Sequence, residues 1–260
     1  NHNNFKKINN VIVLGSNAGN NYYSNLLQFL PRIFFLKNDN IKIAIHRNSS
    51  TKFRDFIKAI LASKKINFTF KYLDDGFYRF TNSEIPQFFD LVKSVKLLRS
   101  ILNLKQSNIK DRKIYVTRED SNYRKIINES DILPLLRSKG YKVINPQLYS
   151  IEEQINIFSN VDKIVAPHGS NLANIIFCKP KTEICEIGPR FDKDFEKPFE
   201  NRYKYLADLN GLKYTKLIAD TVPIKNHSEI SKKFIDKNIL YKSNYYSNLI
   251  IKVKDIKSLN

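Results

Sequence analysis

Short apolar runs alternate with segments whose apolar residues recur every three or four positions, a β-α alternation that fills most of the chain. In the first half, VIVLG (11–15), IKIAIH (41–46) and NFTFKYL (67–73) read as strands. Between them lie a helix over 20–36, kinked or broken at Pro31, and an amphipathic helix over 51–64 with Phe53, Phe56, Ile57, Ile60 and Leu61 on one stripe. A long helix from Pro86 to about Leu102 leads to a linker near Lys105–Asp111. Asp74-Asp75-Gly76 reads as a hairpin turn.

The second half repeats the pattern. Lys113–Thr117 is a strand, followed by a loop with Arg118 and Arg124 and a helix capped near Asn128 or Ser130; Pro134 suits the first turn of such a helix better than its interior. YKVIN (141–145) is the next strand. Ser150 and Glu153 have capping-box spacing ahead of a helix with Ile151, Ile155 and Phe158 buried. Ile164–Ala166 is a strand broken by Pro167, His168, Gly169 and Ser170; Leu172, Ile175 and Ile176 mark a short helix, and Glu183–Ile187 a further strand. The order is that of a parallel doubly wound sheet, whose ligands sit beyond the carboxyl ends of the strands. Residues 228–240 read as a basic amphipathic helix and LIIKVK (249–254) as a strand-like tail, expected near the interdomain region.

That topology gathers Arg118, His168–Asn171 and Glu186 on one edge. A helix starting directly after a glycine turn presents free amides and a positive dipole end, which suit a phosphate. Gly169 permits close approach, Ser170 or Asn171 can cap or donate, and Glu186 can accept from sugar hydroxyls. The residues alone leave open a plain, well-capped helix after a turn.

The run TRED-SNYRKIINE, the S-x-E-E-Q helix start, HGSNLAN and EICEIGP together resemble the glycosyltransferase family 61 pattern. The resemblance implies a GT-B architecture: two Rossmann-like parallel-sheet domains facing across a cleft. It also implies inverting, metal-independent transfer from a UDP-sugar to a glycan or glycolipid hydroxyl, as in surface polysaccharide synthesis. By matching position, Arg118, Arg124, Asn128, Glu129, His168, Gly169, Ser170, Asn171, Asn174 and Glu186 take a donor-site reading, with Arg118 and His168 catalytic. Asn21, Tyr22, Ser24 and Arg32 fall on the acceptor side. Here the chain departs from the pattern: Ser24 stands where the family has a histidine, and a serine is no base without an activating partner. The implied division is 1–105 for the acceptor-side domain, 106–225 for the nucleotide-sugar domain and 226–260 for a helix and tail.

The formal charge of +19 implies an anionic partner: a nucleotide diphosphate, an acidic glycan, an anionic membrane face at the periphery, or, ranked last, nucleic acid. Two cysteines are too few for a disulfide framework. The Asp192-Lys193-Asp194 triplet lies in a charged loop and is assigned no metal, and no cofactor is expected beyond the donor substrate. Gly15–Gly19 follows a strand but lacks the Lys-Ser/Thr of a P-loop. No run spans a bilayer and no signal pattern is present, which predicts a cytoplasmic enzyme, with the secretory lumen as the alternative if an upstream segment was removed. The rival functions are a degenerate nucleotide-sugar binder, favoured by Ser24, and a basic nucleic-acid binder using aromatics such as those of Tyr241–Tyr246.

Overall fold

The computed structural model describes residues 5–14, 21–101, 111–224 and 244–259. The Gly15–Gly19 turn, His2, most of the 105–111 linker and the 228–240 helix lie outside them. The chain divides into two compact units, residues 1–103 and 104–260, and both are α/β with parallel sheets. Among the described residues no helix is long and apolar enough to cross a membrane.

In the first unit, β2 (Ile12–Val13), β3 (Ile41–His46) and β4 (Phe68–Leu73) form a parallel sheet in the order β2-β3-β4. Helix α2 (Thr51–Ser63) buries the expected stripe of Phe53, Phe56, Ile57, Ile60 and Leu61, and Ser50 caps it by accepting from the Phe53 amide. A second parallel pair, β1 (Lys6–Asn9) and β5 (Tyr78–Thr81), was not anticipated. It corrects the hairpin reading of Asp74–Gly76: the chain leaving β4 does not fold back on it but runs on to pair with β1. The expected helix over 20–36 is instead three short pieces. Helix α1 (Tyr22–Ser24) passes into a π-turn over Asn25–Phe29 and a 3-10 turn over Leu30–Ile33. Pro31 has no amide to continue an α ladder, so the hydrogen-bond pattern changes there. Helix α3 begins at Leu91, not Pro86, with the Asp90 carboxylate accepting from the Lys93 amide at 2.7 Å.

The second unit holds a five-stranded parallel sheet. Its strands are β6 (Lys113–Val116), β7 (Tyr141–Ile144), β8 (Lys163–Pro167), β9 (Glu183–Gly188) and β10 (Lys213–Ile218), in the order β10-β9-β8-β6-β7. Helix α4 (Glu129–Ser138) connects β6 to β7 on one side; β8, on the other side of β6, follows α5 (Ile151–Asn160). The direction of winding therefore reverses between β6 and β8, a topological switch point. The capping box of α5 forms: Ser150 accepts from the Glu153 amide while Glu153 accepts from the Ser150 amide at 2.7 Å. Pro134 sits inside α4, not in its first turn. After β9 come α6 (Lys197–Glu200), α7 (Arg202–Leu209) and β10.

The C-terminal segment returns to this unit as β12 (Asn248–Ile250), antiparallel to β11 (Asp220–Val222), and ends in α8 (Val253–Lys257). Leu249, Ile251 and Ile256 join a core with Tyr115, Ile132, Leu136, Val165 and Ile187. The tail is thus half strand, half helix, and part of the second unit's own core.

Candidate functional site

Three adjacent strands end at one edge of the second sheet, and the residues that follow them meet there. Thr117 and Arg118 continue from β6, His168 and Gly169 from β8, and Glu186 lies within β9 in register with Ala166. Gly169 has extended backbone angles open to any residue, so its reason is space. A Cβ built there would lie 2.0 Å from Nη1 of Arg118 and 2.7 Å from its Cζ. The Arg118 guanidinium therefore rests directly on the turn between β8 and the 3-10 helix Ser170–Phe177. The first intrahelical bond of that helix runs from the Leu172 amide to the Gly169 carbonyl, at 2.8 Å, so the Ser170 and Asn171 amides precede the ladder. Both residues are half-buried.

Arg124 comes to the same place from the loop beyond β6. It is 2% exposed and Arg118 is 8% exposed. Each donates a long hydrogen bond to a backbone carbonyl, Arg118 to Tyr123 and Arg124 to Tyr245, both at 3.3 Å, and Arg124 also hydrogen-bonds the Tyr245 side chain. The Nε of each is buried with no hydrogen-bond partner. Neither belongs to any ion pair found among the described residues. Burial, reinforced by the charge of Arg124, brings the Arg118 pKa down to about 10, which leaves it charged at neutral pH. Two buried cations with no anion cost several kcal/mol unless a negative group joins them.

His168 and Glu186 form a second, fully enclosed arrangement. His168 is 1% and Glu186 0% exposed. Nδ1 of His168 lies 2.6 Å from Oε1 of Glu186, and the Tyr214 hydroxyl donates to the other oxygen at 2.7 Å. Burial pushes the imidazole down to about 4 against the upward pull of Glu186. Burial also acts to raise the Glu186 pKa, but His168 and Tyr214 outweigh it and hold the carboxyl below its usual range. The state at neutral pH is a neutral imidazole donating Nδ1–H to a carboxylate, which leaves Nε2 a bare acceptor. The rings of Phe191 and Tyr203 stand edge-on to it, each at 5.0 Å.

These contacts revise several sequence expectations. Both Glu186 oxygens are engaged by protein, one by His168 and the other by Tyr214, so the carboxylate orients the imidazole. A neutral His168 has no proton on Nε2 to give a phosphate oxygen and can accept only from a hydroxyl. Asn174 is fully buried and its amide donates to Gln154 at 3.1 Å, tying the 3-10 helix to α5. Asn128 does not cap α4 with its side chain; its amide donates to the Ile251 carbonyl and its oxygen accepts from the Ile251 amide. Glu129 accepts from the Tyr115 and Thr117 hydroxyls. All three side chains are thus engaged by neighbouring protein groups.

Of the residues expected on the acceptor side, Asn21 caps α1 by accepting from the Ser24 amide, and Tyr22 packs against Phe56. Arg32 is buried, donating to the carbonyls of Val13, Leu14 and Pro86, with its guanidinium 4.1 Å from the Phe88 ring centroid. It braces β2 and forms one wall of a 560 Å³ cavity with Phe35, Ile85, Phe89 and Lys93. His46, at the end of β3, has both nitrogens engaged, Nε2 with Asp75 and Nδ1 with the Asn48 amide. The Asp192 and Asp194 carboxylates go separate ways, to Asn244 and Lys197. Among the described residues no group of three or more His, Cys, Asp or Glu side chains could hold a metal.

Sequence reasoning missed Tyr214, Tyr203, Phe191 and Tyr245, which build the walls of this edge. Only Tyr245 had a local signal, the YKSNYY run, and its partners are far away in sequence.

A family profile described as Glycosyltransferase 61 matches residues 8–185, more than half of the chain. No curated protein matches. The chain is similar to a solved structure of E. coli heptosyltransferase WaaC with ADP, at 9% identity and a TM-score of 0.32, over 80% of this chain and 91% of that one.

Proposed function

We propose, for a chain that belongs to glycosyltransferase family 61, that Arg118 and Arg124 bind the diphosphate of a UDP-sugar and that its sugar passes with inversion to a glycan hydroxyl. The chain is a glycosyltransferase, with a nucleotide-sugar donor and a glycan acceptor. The finer reading rests on one observation: two buried guanidinium groups with no acid beside them among the described residues, one seated on Gly169 at the switch point.

Transfer is direct displacement at the anomeric carbon: the acceptor oxygen bonds to that carbon as its bond to the β-phosphate oxygen breaks, and the acceptor hydroxyl releases its proton to water. Negative charge grows on the departing diphosphate. Cations already in place, together with the Ser170 and Asn171 amides, stabilise that charge more in the transition state than in the ground state. No metal is needed where two arginines supply the field. His168 accepts from a donor hydroxyl through Nε2 and fixes its orientation. The first unit serves the acceptor, a surface polysaccharide or glycolipid.

Calorimetric titration of the full chain with UDP, paired with turnover of UDP-sugars, tests the reading. UDP should bind, and Arg118→Ala should lower turnover on the order of a hundredfold, about 3 kcal/mol for one preorganised donor. UDP binding without turnover of any sugar would mark a degenerate binder. No UDP binding, with salt-sensitive RNA affinity instead, would overturn the proposal.

A further inference from the structure

Arg124 is the more confined of the two arginines, and what confines it lies far along the chain. Its backbone is left-handed, with φ 57°, a conformation unfavourable for a non-glycine residue. The C-terminal segment holds it there. The Arg124 amide donates to the Ser247 carbonyl at 3.0 Å, the Lys125 amide to the Asn248 side chain at 3.1 Å, and the Leu249 amide to the Lys125 carbonyl at 2.8 Å. Asn128 then grips Ile251 with both ends of its amide.

The tip of the side chain is held by the same segment. The Tyr245 ring centroid is 4.0 Å from the Arg124 Cζ, and Tyr123 lies at 4.6 Å. The Tyr245 carbonyl accepts from Nη1. Tyr245 is itself anchored: its amide donates to buried Glu196 at 3.2 Å, its ring stacks on Phe199 at 4.3 Å, and neighbouring Asn244 donates to the Arg190 carbonyl. A guanidinium held by its π-face keeps its edge N–H groups, which are the ones that meet phosphate oxygens. An aromatic plate can therefore aim the cation without consuming its donors, whereas a carboxylate would neutralise it.

We infer that Tyr245 is a positioning residue of the donor site, one that acts through Arg124 and is delivered by a segment lying well beyond residue 185, where the family match ends. This rests on the reading of Arg118 and Arg124 as diphosphate ligands. Tyr245 need not touch the donor. Its ring faces the guanidinium and its side chain also hydrogen-bonds Arg124.

A double-mutant cycle on the full chain, read as UDP affinity by calorimetry, tests this. Tyr245→Leu should weaken UDP about tenfold, the range of a desolvated cation–π contact. Arg124→Ala should weaken it further, and the double variant should match Arg124→Ala alone, because Tyr245 works through that side chain. Tyr245→Phe keeps the ring but removes the hydroxyl's bond to Arg124 and should bind between wild type and Tyr245→Leu. Wild-type affinity in Tyr245→Leu, or a double variant weakened by the product of the single effects, would overturn the inference. If Tyr245→Leu fails to fold, the same cycle with Tyr245→Phe decides: a loss of a few-fold that vanishes in the Arg124→Ala background supports it, and no loss, or the same loss in both backgrounds, overturns it. Failure of the wild-type chain to bind UDP would instead remove the functional reading beneath it.

Discussion

Adding one methyl group at Gly169 should disable the donor site while leaving the fold nearly intact. The backbone there, φ 171° and ψ 168°, is open to alanine, so the substitution carries no conformational strain. Its effect is contact: the new carbon would stand 2.0 Å from Arg118 Nη1, 2.7 Å from Cζ and 3.1 Å from Nε. Ordinary contact needs about 3.5 Å, so the guanidinium must retreat by more than about 1 Å. It can do so, being the end of a flexible side chain, but it then leaves the position it shares with the Ser170 and Asn171 amides. A charge-assisted hydrogen bond contributes about 1.5–3 kcal/mol, so misplacing a guanidinium that makes one should weaken UDP by roughly ten- to 150-fold. The melting temperature should fall by no more than about 4 °C, since 1 kcal/mol moves a domain of this size by about 2–4 °C. Calorimetric titration of UDP into Gly169→Ala, with thermal melts alongside, measures both. In an Arg118→Ala background the three atoms nearest the new methyl are gone and it should cost little further. A folded Gly169→Ala chain with wild-type UDP affinity would show that Arg118 does not reach the diphosphate from this seat.

Two further outcomes follow from the buried groups. Because the folded His168 pKa is held near 4 while the unfolded one is about 6.5, the unfolded chain takes up the proton first as pH drops. Unfolding free energy should therefore be flat in this contribution above about pH 6.5 and fall between 6.5 and 4, by at most about 1.4 kcal/mol per pH unit. Urea titrations across that range should show a shallower slope for His168→Asn, and an unchanged slope would mean the histidine charges freely. Arg32→Ala should destabilise the chain by about 3 kcal/mol in the same assay by stripping donors from the Val13, Leu14 and Pro86 carbonyls. Arg32→Lys should recover only part of this, because one ammonium cannot span three carbonyls. Wild-type stability in the alanine variant would contradict the bracing role.

What could be read from the sequence and what could not divide along a physical line. Strands β6, β8 and β9 are buried on both faces, so their apolar runs show at once, and the Ser150–Glu153 cap is a contact across three residues. Parallel winding then fixed which ends carry Arg118, His168 and Gly169 before any coordinates were needed. Pairing across long separations left no local trace. Strand β1 (KKIN) is too polar to announce itself and pairs with residues some seventy positions on. Glu186 looked like a free carboxylate because nothing near it in sequence shows that Tyr214 and His168 occupy both its oxygens. The π- and 3-10 turns over Asn25–Ile33 follow from Pro31, whose presence marked a break but not the form it takes. Asn128 and Asn174 matched a family pattern; a pattern alone does not separate a residue that touches ligand from one that holds the scaffold.

The distribution of acids explains why the site is cationic in a way that net charge does not. A chain at +19 carries many lysines that lie on its surface and merely repel. In the second unit the carboxylates near the switch point already have partners: buried Glu186 has His168 and Tyr214, half-buried Glu129 has Tyr115 and Thr117, and buried Glu196 accepts from the Tyr245 amide. Arg118 and Arg124 are given rings instead, Tyr123 and Tyr245. An aromatic face eases burial of a guanidinium by about 2 kcal/mol and leaves its charge uncancelled. The fold thus stores a positive potential that a carboxylate neighbour would have quenched, and a diphosphate answers it with charge, geometry and hydrogen-bond acceptors at once. A departing diphosphate carries more negative charge than a bound one, so the same arrangement favours bond cleavage over mere retention of the donor.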